Sequence, residues 1–415
     1  MGVWHNFRNF AKCGGVTSRA SGASMYCRGR AGNTAAAHDN AGTRRGGVRN
    51  QAIKQTSKYV MIKRIELSNY KSIKSASIDL RTLNILLGAN GAGKSNFISF
   101  FELTRHLLEQ RLGAYMLAHG GIDSMLYRGR KISESITALI EFDNGNSFGF
   151  RLKPSAGPKA YIEYTRGIIA APSPNEQSAK KRQMQVWDSD TEESAIMTSQ
   201  DETSEFIRSF MRSLTVYHFH DTSETSPMRR PSRVGDNELL RHDGANIAAY
   251  LYRLRISDER TFNIIESTIR SIAPYFKCFK LTPDKDMDGY ISLEWEERDS
   301  DIYLNASDFS DGTLRFIALA TLLLQPSPPQ AIIIDEPELG LHPAAINKLA
   351  ALVKRASFKS QIIVATQSVS VVDCFSPEDI IVVDRKDGQS AFDRLDNTNT
   401  SPLLAFTGAV TNDNN

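Results

Sequence analysis

The sequence has few cysteines and no long apolar run, and both absences exclude whole classes of protein. Four cysteines among 415 residues provide neither a disulfide framework nor the paired spacing of a zinc knuckle. The longest apolar runs, such as 316–324, are far shorter than the 18 or so residues that cross a bilayer. We therefore expect a protein without membrane-spanning segments, in a reducing, cytoplasmic setting.

A strong charge of one sign is also lacking, although the net value hides two unlike segments. The chain carries +3, yet residues 1–60 contain ten lysines and arginines against one acid, Asp39. Residues 61–415 contain 40 of the 50 basic side chains and 46 of the 47 acidic side chains, so this part of the chain is mildly acidic. This balance argues against a general nucleic-acid binder but still allows a local basic patch.

Residues 1–60 show no apolar periodicity and are rich in glycine, arginine, alanine and serine, which predicts a disordered basic leader. They lack the apolar core of a secretory signal. Three interpretations stay open: sequence ahead of a true start near Met61, a mitochondrial transit peptide, or a basic interaction arm. We expect an ordered head over 61–395 and a polar tail over 396–415.

Regular patterning begins at Met61. Alternating apolar residues in 62–67 and 78–80 predict two strands, and the apolar run 84–87 predicts a short buried strand that ends at a glycine. Beyond the glycines, aromatic residues and leucines recur at helical spacing from 97 to 108. Strand, glycine loop and helix thus follow in the order that a phosphate-binding loop requires.

The loop matches the pattern GxxxxGK[ST] at every position, through Gly88, Ala89, Asn90, Gly91, Ala92, Gly93, Lys94 and Ser95. Its glycines allow backbone N–H groups to converge on nucleotide phosphates at a helix N-terminus, where the helix dipole favours anions. We expect Lys94 to neutralise phosphate charge and the Ser95 hydroxyl to ligate Mg²⁺. The alternative is a chance glycine turn ahead of a helix.

A matching acidic element follows some 240 residues later. The apolar run 331–334 predicts a central parallel strand that is buried on both faces. It ends in Asp335, where a Mg²⁺ ligand belongs, and Glu336, which is placed to polarise an attacking water. The alternative is that these two acids merely cap the next helix.

A third element lies between the first two. Ser310, Asp311 and Gly312 precede an apolar helix over 314–324, and a serine–glycine turn at a helix N-terminus is another anion site. Alone this signal is weak. Its position about 25 residues ahead of Asp335 strengthens it.

Together these elements resemble the ABC-type ATPase heads of the SMC, RecF and OLD-nuclease group. In order they are the Walker A loop, the signature turn, the Walker B strand and the Pro-Glu-Leu-Gly-Leu-His-Pro stretch at 337–343. The opening 62–73 is similar to that of RecF-like proteins, and 217–223 with 240–246 are similar to bacterial RecF-like ATPases of the AAA type. The resemblance spans nearly all of 61–395.

The resemblance implies an α/β fold, a P-loop NTPase of ABC-ATPase type with an inserted helical lobe and antiparallel strands over roughly 96–308. It implies ATP and Mg²⁺ as cofactors and a homodimer on ATP binding, in which Ser310 and Gly312 of one subunit contact the γ-phosphate held by the other. It places Gln367 at the switch position, where transporter ATPases have histidine. Asp311 departs from the usual signature, and no Q-loop glutamine is found, so Arg128 or Arg130 is a candidate replacement.

Four further segments carry weaker signals. His218, His220 and Asp221 have metal-like spacing, but alternate residues on a strand share a face without metal, so packing or hydrogen bonding is the favoured interpretation. The basic loop 228–233 is either a solvated charge run or a contact for nucleic acid or a partner. A hairpin is predicted about Asn144 and Gly145, and a mobile polar loop over 170–204.

These features predict an ATPase (ATP and water to ADP and phosphate) that acts as a RecF-like switch and controls a nucleic-acid-related process or a separate effector, in DNA repair or anti-phage defence. Two alternatives stay open: a repair factor of RecF type that binds DNA directly, and the nucleotide-binding subunit of a transporter. Only about 30 residues follow the strand predicted at 379–383, which is too few for an OLD-type nuclease domain.

Overall fold

Two six-stranded sheets organise residues 59–170, 182–300 and 302–395, which are the residues that the computed structural model describes. The first sheet is antiparallel throughout, in the order β2-β1-β4-β5-β6-β7. Its strands are β1 (Ile62–Tyr70), β2 (Ile73–Asp79), β4 (Ile136–Phe142), β5 (Ser147–Pro154), β6 (Ala160–Ala170) and β7 (Arg182–Thr191). Alternating burial along β4 shows one face on the core and one towards solvent.

The second sheet has the order β17-β16-β3-β15-β14-β8 and is parallel except for its last hairpin. Its strands are β3 (Leu83–Leu87), β8 (Leu214–Tyr217), β14 (Ala331–Asp335), β15 (Gln361–Thr366), β16 (Ile380–Lys386) and β17 (Gln389–Arg394). Every residue of β3 and β15 is buried, because both faces of the sheet are covered.

Helices cover the parallel sheet on both sides. On one side α1 (Lys94–Leu108) packs between the two sheets, where Phe97, Phe100 and Phe101 share a core with Phe150 of β5. Four longer helices pack on the other side: α5 (Ile247–Ser257), α6 (Glu259–Arg270), α7 (Asp311–Leu324) and α8 (Pro343–Ala356). The remaining helices are α2 (Leu112–Ala118), α3 (Ile122–Met125), α4 (Glu202–Arg212) and α9 (Val369–Val372).

Two small sheets contribute to the core that α5, α6, α7 and α8 form with the parallel sheet. One joins β10 (Phe276–Phe279), β12 (Trp295–Glu297) and β13 (Tyr303–Leu304), and the other pairs β9 (Ser232–Arg233) with β11 (Tyr290–Ile291). Within the three described ranges, no helix is long and apolar enough to cross a membrane.

Most predicted elements are confirmed, including the strand–loop–helix unit, the strand before Asp335 and the hairpin about Asn144 and Gly145. The prediction of a mobile loop over 170–204 is wrong for the part that the structure describes, because β7, a one-turn helix at Ala195–Met197 and the start of α4 occupy most of residues 182–204. Asp188 of β7 is buried and accepts hydrogen bonds from Ser194 Oγ (2.6 Å) and the Ala195 N–H (2.7 Å). A polar edge strand lacks the apolar alternation on which the prediction depended.

The predicted basic leader up to residue 58, the polar tail from residue 396 and residues 171–181 of the predicted loop lie outside the described residues.

Candidate functional site

The carboxyl ends of four parallel strands meet at one edge of the second sheet. β15 lies between β3 and β14, and β8 pairs with the far side of β14. The glycine loop follows β3, Gln367 follows β15, and Glu336 follows β14. Because parallel strands end at the same edge, the predicted loop, switch and acidic residues come together there.

The glycine loop has a backbone that other residues would strain. Gly91 and Gly93 have φ of 78° and 118°, a region that residues with a Cβ rarely adopt. A Cβ on Gly93 would also lie 2.0 Å from Ser390 Oγ. The loop therefore packs closely on β17 while its backbone turns into α1.

Lys94 arches back over this loop. Its side chain is buried, and Nζ donates to the carbonyl oxygens of Gly88 (2.7 Å) and Ala89 (3.1 Å). Burial lowers the pKa of Lys94, and the nearby carboxylates of Glu336 and Asp335 partly offset that shift. The ammonium group is thus held at the mouth of an anion-binding loop.

Ser95 and Asp335 are joined across the site, because Ser95 Oγ donates to Asp335 Oδ2 at 3.3 Å. The other oxygen, Oδ1, is buried and has no hydrogen-bond partner among the described residues. Burial raises the pKa of Asp335, and the Glu336 carboxylate raises it further. A hydroxyl beside an unsatisfied carboxylate oxygen suits Mg²⁺, which prefers one or two carboxylates and keeps several waters. These residues therefore fit the metal.

Glu336 leaves β14 in a left-handed backbone conformation. Its φ is 39°, and its N–H donates to the Ala365 carbonyl of β15 at 2.8 Å. Such a conformation is costly for a residue with a Cβ, and neighbouring structure must impose it. The bond to β15 fixes the point at which the chain turns, next to the Asp335 carboxylate.

Glu338 was not predicted as a site residue. It is buried, Thr366 Oγ1 donates to its Oε1, and Oε2 has no partner among the described residues. Burial raises the pKa of Glu338. Thr366 Oγ1 also accepts from the Ser368 N–H at 2.9 Å, so Glu338 braces the turn that carries Gln367. The sequence signal that could have identified Glu338 was its place in a group of three acids at 335, 336 and 338.

The histidine cluster has a different geometry from the one predicted. β8 ends at Tyr217, so His218 and His220 lie beyond the strand, and His218 Nε2 is 2.8 Å from Glu102 Oε1. This hydrogen bond confirms the structural interpretation, and within the described residues no group of three His, Cys, Asp or Glu could hold a metal ion. His220 is half-buried, and burial lowers its pKa although Asp335 acts in the opposite direction. The second histidine therefore lies near the Asp335 carboxylate.

The signature turn lies against the chain that follows Glu336. Ser310 caps α7 and accepts from the Thr313 N–H at 3.2 Å. A Cβ on Gly312 would lie 2.2 Å from the Gly340 carbonyl oxygen, so only glycine allows this approach. Among the described residues, no hydrogen bond or ion pair joins Ser310 or Gly312 to the glycine loop. Within one chain, the two elements are therefore not joined by a polar interaction among these residues.

Arg229 anchors the signature turn. Its side chain is buried, and it donates to the carbonyls of Thr222 (3.0 Å) and Ala306 (2.5 Å) and to Asp311 Oδ1 (2.9 Å). The interpretation of the basic loop 228–233 as a solvated charge run therefore does not hold for Arg229. This arginine is a structural clamp between that loop and the turn.

The two proposed Q-loop replacements differ. Arg130 is engaged elsewhere, with Asp123 at 2.7 Å and the carbonyls of Ser155 and Gly157. Arg128 lines a cavity of about 540 Å³ together with Asn96, beside the start of α1. Of the pair, only Arg128 lines this cavity beside α1.

Comparisons with known proteins agree with this geometry. The model of the family described as "AAA domain, putative AbiEii toxin, Type IV TA system" matches residues 83–373. No curated protein matches the chain.

Among solved structures, the chain is similar to an SMC head bound to the C-winged helix domain of ScpA. The TM-score is 0.56 at 16% identity, over 83% of this chain and 99% of that one. A second SMC head, from Pyrococcus furiosus, was solved bound to the C-terminal domain of ScpA and has a TM-score of 0.48 at 16% identity, over 86% and 100%. The first likeness shows the predicted fold, an α/β P-loop ATPase head of ABC type.

Proposed function

Because the chain belongs to the AAA family whose model spans 83–373, we propose that it binds ATP at the carboxyl edge of the parallel sheet and hydrolyses it. The observation that carries this proposal is the pairing of Ser95 with Asp335, whose Oδ1 is buried near the Lys94 ammonium and has no hydrogen-bond partner in the described part of the chain. This is a cation site next to an anion cradle, as a metal–nucleotide complex requires.

The chain's own residues divide the chemistry. The loop N–H groups and Lys94 hold the phosphates, and Ser95 and Asp335 hold the metal. Mg²⁺, when bound, would neutralise charge that develops on the transferred phosphoryl group. Glu336 accepts a proton from the attacking water and orients it, while Gln367 donates a hydrogen bond towards the γ-phosphate. Hydrolysis then proceeds by positioning and charge stabilisation.

The proposed output is an ATP-dependent homodimer. The turn of Ser310 and Gly312 makes no hydrogen bond with its own glycine loop among the described residues, and Ser310 and Asp311 are exposed. In the proposed dimer, each turn completes the partner's site. Closure of the dimer then acts as a switch.

The switch controls a nucleic-acid-related process or a separate effector protein, in repair or in defence, within the cytoplasm. The similar SMC head was solved bound to a domain of another protein, ScpA, which supports an effector on a separate chain. The family description names a toxin of a "Type IV TA system", which is consistent with a role in defence.

The proposal is tested by measuring Mg²⁺-dependent ATP hydrolysis in the variant Asp335→Asn and in the parent protein. Loss of the carboxylate should lower phosphate release at least about 100-fold, because the metal loses its charged ligand. The matched control is Asp384→Asn, which removes an exposed carboxylate from β16 and should retain the parental rate. Parental hydrolysis by Asp335→Asn would contradict the assignment.

A further inference from the structure

A second cavity lies between β9, β11 and the one-turn helix Pro227–Arg229. It measures about 400 Å³, and its lining includes Arg230, Arg233, Arg241, Asp236 and Tyr290. None of its lining residues belongs to the candidate nucleotide site. It contains part of the basic loop 228–233, which the proposed ATPase mechanism does not use.

The cavity has an excess of positive charge. Arg241 Nε lies 2.8 Å from Asp236 Oδ2, so these two charges offset each other. Arg230 and Arg233 are exposed and have no carboxylate within 4.0 Å among the described residues. Arg233 Nε instead donates to Tyr290 Oη at 3.3 Å. Among the described residues, the Arg230 guanidinium and the two terminal nitrogens of Arg233 therefore have no hydrogen-bond partner and can bind an anion, and the fork of an arginine suits phosphate.

The wall beside these arginines is flat and partly apolar. The Tyr290 ring is half-buried, with the Arg233 guanidinium 5.9 Å from its centroid, and Pro227 and Pro231 line the same cavity. Aromatic faces next to a positively charged groove are how proteins bind unpaired bases. A concave pocket of this volume can admit a base and its phosphate, whereas a base within a duplex stays stacked.

We propose that this cavity binds one nucleotide unit of a single-stranded nucleic acid. The phosphate lies on Arg230 and Arg233, and the base stacks on Tyr290. An acidic peptide would use the arginines alone and leave the aromatic wall without a role, so the combination favours nucleic acid.

The cavity is also linked to the signature turn. Arg229, next to Arg230, is buried and bonded to the carbonyls of Ala306 and Phe309 and to Asp311. A strand bound on Arg230 would act on the segment that positions Ser310. A bound strand should therefore change the rate of ATP hydrolysis. This effect rests on the proposed ATPase function, whereas binding of the strand to the cavity is independent of that function.

Fluorescence anisotropy with a fluorescein-labelled oligothymidylate of about 15 nucleotides tests the site. The double variant Arg230→Gln, Arg233→Gln should bind roughly tenfold more weakly, and its slope of log K against log salt should be shallower by about 0.7, because the contact with one phosphate is lost. The matched control is Arg260→Gln, Arg355→Gln, which removes the same charge from exposed positions without ion pairs among the described residues. Every variant keeps the basic residues 1–60, which can themselves attract the oligonucleotide. The test therefore compares the affinity of the double variant with that of its matched control.

Three further comparisons identify the occupant. Tyr290→Phe should bind the oligonucleotide like the parent, and Tyr290→Ala should bind roughly tenfold more weakly, because the base loses its stacking surface. Duplex of the same sequence, free thymidine monophosphate and polyglutamate should each compete at least about tenfold less well. Melting temperatures within about two degrees of the parent confirm that the variants are folded.

Equal oligonucleotide binding by the two double variants would overturn the site. Effective competition by polyglutamate would instead indicate an acidic protein partner, and effective competition by thymidine monophosphate would indicate a free nucleotide. If the oligonucleotide binds as expected but neither the parent protein nor any variant hydrolyses ATP, the nucleic-acid site is supported and the proposed ATPase function is wrong.

Discussion

At the scale of single residues, the site depends on carboxyl groups held in unfavourable surroundings. Asp335 has one oxygen without a partner among the described residues, Glu338 has another, and Glu336 occupies a left-handed conformation. Each feature costs stability unless something else satisfies it. A bound metal–nucleotide complex would satisfy the unpartnered oxygen of Asp335, which is why we propose that the chemistry takes place at this carboxylate.

Glu336→Gln should separate binding from hydrolysis. Glutamine keeps the size of the side chain but cannot accept a proton, so hydrolysis should fall roughly 10²–10⁴-fold, about 3–5 kcal/mol of barrier, while ATP still binds. Phosphate release and binding of a fluorescent ATP analogue measure the two effects. Glu378→Gln, an exposed carboxylate, is the control and should match the parent. Parental hydrolysis by Glu336→Gln would show that another group is the base.

Glu338 should make stability depend on pH. Its pKa is raised in the folded protein, so the protonated form is favoured and folding loses stability as pH rises through the folded pKa. Glu338→Gln removes this ionisation but keeps an oxygen that accepts from Thr366. Without nucleotide, the variant should therefore melt above the parent at pH 8, with the difference shrinking below the usual carboxyl pKa. A difference independent of pH would assign the effect to packing.

At the scale of elements, the strand–loop–helix unit and the acidic strand follow from local sequence. Continuous apolar runs end at Gly88 and at Asp335, and the structure turns there. The β7 strand was missed because its own residues are mostly polar, and its pairing with β6 rather than an apolar pattern of its own holds it in the sheet. The role of Arg229 was missed because the carbonyl of Ala306, to which it donates, lies 77 residues away.

Gly312→Ala tests the packing of the signature turn. Its backbone conformation would accept alanine, but the new Cβ would lie 2.2 Å from the Gly340 carbonyl oxygen, so one segment must move. We expect a loss of about 1–3 kcal/mol in the free energy of unfolding, measured by urea denaturation. Gly235→Ala is the matched control, because nothing lies within 4 Å of the added Cβ. Equal stability of the two variants would show that the turn is loosely held.

At the scale of the whole molecule, no hydrogen bond or ion pair joins the signature turn to the glycine loop within one chain among the described residues. The fold explains why, since Ser310 caps a helix that packs with β14 in one core, whereas the loop opens α1, which packs with the antiparallel sheet. A shared site in a two-fold dimer resolves this separation, because each subunit supplies what the other needs. The sequence indicated the two elements but not that they border different cores of the fold.

Phosphate release from a mixture of two inactive variants tests this account most directly. Lys94→Ala lacks the phosphate-binding ammonium, and Ser310→Arg places a bulky side chain at the signature turn. In mixed dimers both changes fall in one composite site, and the other site has an intact loop and an intact turn. After subunit exchange at equal concentrations, half of the dimers are mixed, so roughly a quarter of the parental hydrolysis should return. Verified mixed dimers that release no phosphate above the separate variants would contradict the shared ATPase site.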